Sequence, residues 1–340
     1  MSTILDVARL AGVSTATVSR VINSADSVRD ETRKKVLLAM KKCNYKYNAL
    51  ARGFVTKKSN TIGLIIPTIS NSVFAESTLG VQEYADQKNI RVVLGNSYYK
   101  YSQEENLIKV LRENQVDGLI ITTTNLKGEI LKSLVDENFP FVLLFSTVKG
   151  GPISAVGIDN YRGGYIATEH LISLGHKRIC MVAGNFSMTD RSFHRWHGYK
   201  KCLRDKGIAY DKELLVQTDY SLSGGRDSIK KLLSLPSPPT AVFCSNDHIA
   251  LGAMKGAREA GLTLPKDLSI VGFDDMQTAS YMVPPLTTIH QPAYEMGKRA
   301  AKLLLQLIAK ESKPVQEMMD SRLIIRESTS PLPGGDGNRD

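Results

Sequence analysis

Thr15, Ala16, Ser19, Arg20 and Asn23 share one side of a short helical pattern whose other side carries Val18, Val21 and Ile22. That outer side is small, polar and cationic, the chemistry required of a helix that enters a DNA major groove and touches base edges. Arginine brings a planar donor fork, threonine and serine bring hydroxyls, and alanine brings a methyl. The elements that must hold this face are legible around it. Ile4, Ala8 and Ala11 fall at helical spacing in the preceding segment. Ala11-Gly12-Val13 supplies a tight turn in which Gly12 takes positive φ at no steric cost. Ser14 is placed to cap the second helix, its hydroxyl accepting an orphan backbone N–H.

Charge agrees with this chemistry. Among the first sixty residues of the 340-residue chain, twelve Lys and Arg stand against four acids, so this head carries +8 of the formal +10. A basic head on a near-neutral body is the electrostatic footprint of a phosphate-binding module. A third basic helix is predicted over about Asp30 to Cys43. Val36, Met40 and Cys43 point inward, and Asp30 and Glu31 sit at its positive end. Tyr45-Lys46-Tyr47-Asn48 then reads as a non-helical joint. Ala49 to Val55 is too short to hold a helix by itself in water, and Lys57-Lys58-Ser59-Asn60 reads as a linker.

From Thr61 the pattern changes. Short apolar runs suited to buried parallel strands recur at Ile62–Ile66, Val92–Leu94, Gly118–Thr122, Phe141–Phe145, Ile179–Ala183, Ala241–Cys244 and Ile270–Phe273. Helical stretches separate them at Ala75–Lys88, Gln103–Glu113, Gly163–Leu174, Arg195–Lys206 and Ile249–Ala260. This alternation implies parallel sheets covered on both faces, with too many strands for one unit. Two α/β lobes are expected, with binding in the cleft at the carboxyl ends of the strands. No G-x-G-x-x-G after a strand, P-loop, G-x-S-x-G or H-E-x-x-H is present, so an enzyme is not expected, nor a cofactor or metal. Gly163-Gly164 at a helix start is read as close packing or as an anion cradle. Cys43, Cys180, Cys202 and Cys244 are scattered, which predicts buried reduced thiols. Without an apolar leader or a membrane-length run, a soluble cytoplasmic protein is expected.

Several further segments lie in a recognisable order: Gly157-Ile158-Asp159-Asn160, Gly175-His176-Lys177-Arg178-Ile179, Ser245 to Met254, Gly272-Phe273-Asp274-Asp275 and Pro285 to Pro292. With the head, they make the chain resemble the LacI/GalR family of bacterial transcriptional regulators over almost its whole length. The resemblance implies a small all-α helix-turn-helix headpiece (1–48), a hinge helix and linker (49–60), and a core like that of periplasmic sugar-binding proteins. The core it implies is a pair of doubly wound parallel-sheet lobes, 61–161 with 292–320 and 162–291 with 321–332; residues 333–340, rich in Gly and Asp, are expected to be a disordered tail. It implies a repressor whose affinity for a pseudo-palindromic double-stranded operator is set by a small molecule, a sugar or sugar derivative. A homodimer is expected, since the chain stops soon after Leu323–Arg326 without a heptad tail.

The resemblance also assigns positions. Thr15, Ala16 and Arg20 match the base-reading residues, and Ser14, Thr17, Asn23, Thr32 and Tyr45 the phosphate contacts. In the hinge, Ala51 and Phe54 match minor-groove positions. Phe54 stands where the family usually carries a leucine wedge, and Arg29 where it usually carries a capping serine. Phe74, Asp190, Arg195, Tyr220, Asn246, Asp274 and Gln291 match the lining of the effector cleft. Asp274 suits vicinal hydroxyls, Arg195 offers a fork, and the aromatics suit a sugar or base face. Phe145-Ser146 replaces an Asp-Arg pair common in sugar-binding members. Arg191 favours a carboxylate or phosphate if it faces inward and is unremarkable on the surface. Three alternatives remain: a purine-like corepressor, a regulator driven by a protein partner, and a periplasmic solute-binding protein, which the basic head disfavours.

Overall fold

A computed structural model describes residues 2–23, 28–45, 59–148 and 150–332. The chain divides into two compact units, Met1–Ser59 and Asn60–Asp340. The hinge positions Ala51 and Phe54 lie outside the described residues, as does the side chain of Asn23.

The first unit holds α1 (Ile4–Ala11), α2 (Thr15–Asn23) and α3 (Asp30–Lys42). A capping box that the sequence reading overlooked starts α1: the Thr3 backbone N–H donates to Asp6 Oδ2 at 2.8 Å, and the Asp6 N–H donates to Thr3 Oγ1 at 3.4 Å. Gly12 ends α1 at φ +67°, where its N–H returns to the helix carbonyls. Val7, Ala8, Val18, Val21, Val36 and Ala39 form the core, with Met40, Cys43 and Tyr45 packed on its margin. In α3 the buried stripe therefore turns on Val36 and Ala39, with Met40 and Cys43 half-buried. Arg29 precedes α3 without a side-chain cap, and Asp30 and Glu31 occupy the first turn.

The second unit contains two six-stranded sheets. The first is built from β1 (Thr61–Ile66), β2 (Arg91–Asn96), β3 (Gly118–Ile121), β4 (Phe141–Leu144), β5 (Ser154–Ile158) and β11 (Gln316–Met319), in the order β11-β5-β4-β3-β1-β2. The second is built from β6 (Ile179–Gly184), β7 (Leu215–Thr218), β8 (Ala241–Cys244), β9 (Ser269–Asp274), β10 (Thr287–His290) and β12 (Arg322–Ile324), in the order β12-β10-β9-β8-β6-β7. Pairing is parallel throughout except between β10 and β12. The strand order reverses at β1 in one sheet and at β6 in the other, which opens a crevice at their carboxyl ends. Three passages of the chain, after Ile158, after His290 and after Met319, join the two sheets.

Helices α4 (Ser72–Gln87), α5 (Tyr101–Glu113) and α6 (Glu129–Asp136) accompany the first sheet, and α11 (Ala293–Ile308) returns to pack on α4 and on β3, β4 and β5. The second sheet carries α7 (Asn160–Ser173), α8 (Asp190–Asp205), α9 (Leu222–Leu233) and α10 (Asp247–Glu259). Three helix pairs, α4 with α11, α7 with α8 and α9 with α10, cross at facing glycines. A Cβ on Gly80 would lie 2.0 Å from the Tyr294 carbonyl oxygen, and one on Gly164 would lie 2.1 Å from that of Arg195. Gly164 is thus a close-packing residue, and Gly163 likewise abuts the Phe273 ring.

Strands β1, β3, β4, β5, β6, β8 and β9 are buried along their length, as parallel strands covered on both faces must be. The edge strand β2 departs from the expected burial: Val93 and Leu94 are exposed. Cys180, Cys202 and Cys244 are buried free thiols, and Cys43 is half-buried. No helix among the described residues is long and apolar enough to cross a membrane.

Candidate functional site

In the first unit, α2 presents Ala16 and Arg20 fully exposed, with Thr15 half-buried beside them. The Ser14 hydroxyl accepts the Thr17 N–H at 3.1 Å and shares a hydrogen bond with the Thr17 hydroxyl at 2.9 Å. Both expected phosphate contacts are thus engaged in holding the helix start, which fixes α2 against the turn. Thr32 is half-buried, and the Tyr45 ring leans on the small core.

In the second unit, a small cavity of about 30 Å³ lies at the strand ends between the two sheets. Asn71, Val73 and Phe74 reach it from the start of α4, Tyr99 from the loop after β2, and Phe145 from the end of β4. The opposite wall supplies Arg191, Ser192 and Arg195 from α8, Tyr220 from the loop after β7, Asn246 from the start of α10 and Asp274 from the end of β9; Gln291 follows β10. One wall is aromatic: Phe74 meets Phe145 edge-on at 5.4 Å and Tyr99 at 6.5 Å. The other is polar and charged.

Asp274 is set into this wall by its backbone. Its φ is +121° and that of Asp275 is +57°, conformations that non-glycine residues adopt only when the surroundings enforce them. Asp275 is the anchor. Its carboxylate accepts from Arg326 at 2.7 Å and from His290 Nδ1 at 2.9 Å; burial pushes its pKa up, but these two donors hold it below the usual range. Asp274 Oδ1 accepts from Gln291 Nε2 at 2.6 Å and lies 3.6 Å from the Arg195 guanidinium. Burial outweighs these favourable neighbours and raises Asp274 to about 7. Behind it, Asp247 is wholly buried, accepts from Thr288 and from the Met276 N–H, and is pushed well above the carboxylate range by burial and by Asp274.

Arg195 is occupied by the protein. Its Nε donates to Asn160 at 2.8 Å, Nη1 donates to the Ser245 carbonyl, and the guanidinium lies 3.4 Å from the centre of the Phe273 ring. Burial brings its pKa down to about 10, which leaves it charged at neutral pH. Its Nε and Nη1 are thus committed to the protein beside the Asp274 carboxyl. Asn246 is likewise committed through its side-chain oxygen, which caps α10 by accepting the Ile249 N–H at 2.8 Å. Arg191 behaves oppositely. Its side chain is 7% exposed, and Nη1 and Nη2 are buried without a hydrogen-bond partner among the described residues.

Six of the seven residues assigned to the cleft from sequence line this cavity: Phe74, Arg195, Tyr220, Asn246, Asp274 and Gln291. Asp190 does not. It is the first residue of α8, half-buried, and the helix turns Arg191 inward in its place. Tyr99 escaped the sequence reading. Its signal was position, immediately after an apolar strand run, where parallel sheets place their ligand-binding loops.

Comparison with known proteins is decisive here. Residues 3–48 match the family described as bacterial regulatory proteins, lacI family, and residues 168–329 match the periplasmic binding protein-like domain. The HTH-type transcriptional regulator RegA of Clostridium saccharobutylicum is 37% identical over 329 residues, covering 96% of this chain and 99% of the relative. The chain belongs to the lacI family of bacterial regulatory proteins. It is a DNA-binding transcriptional regulator with an effector-binding domain, not an enzyme. A lac repressor dimer bound to operator and the anti-inducer ONPF is similar in structure, with a TM-score of 0.86 and 31% identity over 97% of this chain and 99% of that one. The complex of the regulator CelR with cellobiose gives 0.73 and 31%, over 96% and 100%.

Proposed function

We propose that this regulator is a cytoplasmic homodimeric repressor that binds a pseudo-palindromic operator, and that a small hydroxylated effector, a sugar or sugar derivative, controls this binding from the cavity between the lobes. Arg20 reads a guanine edge bidentately, Thr15 and Ala16 add a hydroxyl and methyl contact, and the basic head neutralises phosphates. Ser14, Thr17, Asn23, Thr32 and Tyr45 contact the phosphate backbone, a reading that the resemblance of these positions to the family's supports, and Ala51 and Phe54 enter the minor groove. The dimer draws support from the apolar side chains Val93 and Leu94, exposed on edge strand β2.

The observation that carries the effector assignment is the two-sided cavity itself, with the rings of Phe74, Tyr99 and Phe145 facing the Asp274 carboxylate. A pyranose or furanose has the same division, apolar C–H faces with hydroxyls at the rim, and a carboxylate accepts from two of them at once. The ring set also fits a purine, which would have to part Tyr99 from Tyr220. Operator binding at two salt concentrations tests the first half. Affinity should fall steeply with salt, and Arg20→Ala should cost about 1–3 kcal/mol on the specific site and much less on random DNA. For the second half, sugars and purines are screened for a shift in operator affinity; Asp274→Ala should lose the shift and keep operator binding. A shift that persists in Asp274→Ala removes this cavity from the reading.

A further inference from the structure

Arg191 is a buried cation whose terminal nitrogens make no hydrogen bond among the described residues. Its guanidinium sits in the wall of the cavity, and both terminal nitrogens are shielded from solvent and free of hydrogen bonds among the described residues. Such a group is costly, because taking an ion out of water is compensated only when a partner of opposite sign or several acceptors meet it. The nearby carboxylates, Asp274 and Glu104, feel its charge, but neither is hydrogen-bonded to it. Asp274 faces Arg195 at 3.6 Å and accepts from Gln291. Glu104 accepts from Thr123 and from the Thr124 N–H at 3.0 Å. Arg195 differs from Arg191 in being hydrogen-bonded, to Asn160 and to the Ser245 carbonyl, and in lying against the Phe273 ring.

The helix start adds geometry. Thr189 caps α8 by accepting the Arg191 N–H at 3.2 Å, so the residue is held in the first turn, where the helix end is positive. The cavity therefore gathers an unpaired guanidinium, a paired one and a helix N-terminus on one wall, while the opposite wall is aromatic.

We propose that the effector carries an anionic group, a carboxylate or phosphate on a hydroxylated carbon skeleton, and that Arg191 binds that group through Nη1 and Nη2. This rests on the reading of the cavity as the effector site. Asp274 takes hydroxyls, and Arg191 takes the charge. A planar carboxylate and a phosphate both match two parallel N–H donors. A neutral sugar leaves Arg191 buried and unpaired, so the site selects against it in the way that polar pockets reject analogues lacking the matching group.

The test uses matched probes on the full-length protein: glucose, gluconate, glucuronate and glucose 6-phosphate, and ribose with ribose 5-phosphate. Thermal midpoint and operator affinity are read for the wild type, Arg191→Gln and Arg191→Met. At least one anionic probe should bind the wild type tenfold or more tightly than its neutral parent, and Arg191→Gln should abolish that preference. Carboxylates and phosphates separate as arms of the panel. Independently of any ligand, Arg191→Met should raise the melting midpoint of the ligand-free protein, because it removes a buried guanidinium whose terminal nitrogens have no hydrogen bonds, at similar volume. A neutral sugar that binds as well as its acid or phosphate overturns the proposal. So does an Arg191→Met variant that melts lower, which would make Arg191 structural, or a panel in which no anion binds. Salt-dependent operator binding by the same preparations tests the regulator reading separately, so either can fail alone.

Discussion

Tyr99 and Tyr220 stack face to face across the two lobes, with ring centres 4.7 Å apart and planes inclined by 8°. Tyr99 reaches this position from two consecutive left-handed residues, Tyr98 at φ +54° and Tyr99 at φ +56°. The Tyr220 hydroxyl is fixed by a hydrogen bond to Ser192 at 2.8 Å. The pair separates the inner cavity from a larger outer groove of about 500 Å³ that both tyrosines also line. Access to Asp274 and Arg191 from that groove thus runs past two rings held by opposite lobes.

Removing one ring tests this relationship. Stacked aromatics contribute about 0.5–1.5 kcal/mol beyond their buried area, so Tyr99→Ala should lower the melting midpoint by a few degrees and Tyr99→Phe should leave it nearly unchanged. Stopped-flow measurement of a bound probe should also give faster entry and faster release in Tyr99→Ala. Unchanged rates would show that the ligand enters elsewhere.

Arg195 should prove structural. It is buried, paired with Asp274 and hydrogen-bonded to Asn160 and the Ser245 carbonyl, so Arg195→Ala strips these buried acceptors of their partner and should cost about 3–5 kcal/mol in denaturant unfolding. The contrast with Arg191→Met, which is expected to stabilise, is the sharpest comparison between the two arginines.

Asp274 gives a pH signature. Its pKa in the fold is about 7 against an ordinary 3.8, raised by burial, so the folded state holds the proton more tightly than the unfolded chain. Its contribution to stability is complete below about pH 4 and declines as pH rises through the window up to about 7. Arg195, Arg191, Glu76 and Asp247 set the field on this carboxyl, and burial with Asp274 shifts Asp247 in the same direction. Asp274→Asn removes one titration. Its melting midpoint relative to wild type should therefore rise from about pH 4 to pH 8. A constant difference would place the Asp274 pKa in its normal range.

Helix crossing at glycine gives a fourth expectation. A Cβ at Gly80 would sit 2.0 Å from the Tyr294 carbonyl oxygen, and backbone cannot yield as a flexible side chain does. Gly80→Ala should force α4 and α11 apart and cost about 1–3 kcal/mol, despite the better helix propensity of alanine. A variant as stable as wild type would mean that the pair relaxes freely.

Local signals carried the sequence far in some places. Gly12, Ser14 and the Val18–Val21 stripe specified the helix-turn-helix because turn, cap and period each act within a few residues. The all-apolar runs at β1, β3, β4, β6 and β8 were legible because strands covered on both faces must be apolar throughout. The strands Ser154–Ile158, Leu215–Thr218, Thr287–His290 and Gln316–Met319 were not read, and neither were the helices Glu129–Asp136, Leu222–Leu233 and Ala293–Ile308. Gln316–Met319 is an exposed polar edge without an apolar run, and Leu222–Leu233 carries Gly224 and Gly225, which weaken the helical signal but allow close approach to α10. Ala293–Ile308 is strongly amphipathic, with Met296, Ala300, Leu303 and Leu304 buried on one side.

The sequence by itself determined the headpiece chemistry, the α/β class of the body and, through resemblance, most of the cavity lining. It could do so because caps, periodicity and charge are local properties of the chain. Which arginine is free was decided only by the tertiary structure. Arg191 and Arg195 lie one helical turn apart, but Asn160, Ser245 and the Phe273–Asp274 pair come from three other segments to meet one of them. The same holds for Tyr99 and Tyr220, 121 positions apart, whose meeting depends on two sheets closing on each other. Solvation and pairing of a buried charge are set by whatever the fold brings within a few ångströms, and no window of sequence contains that information.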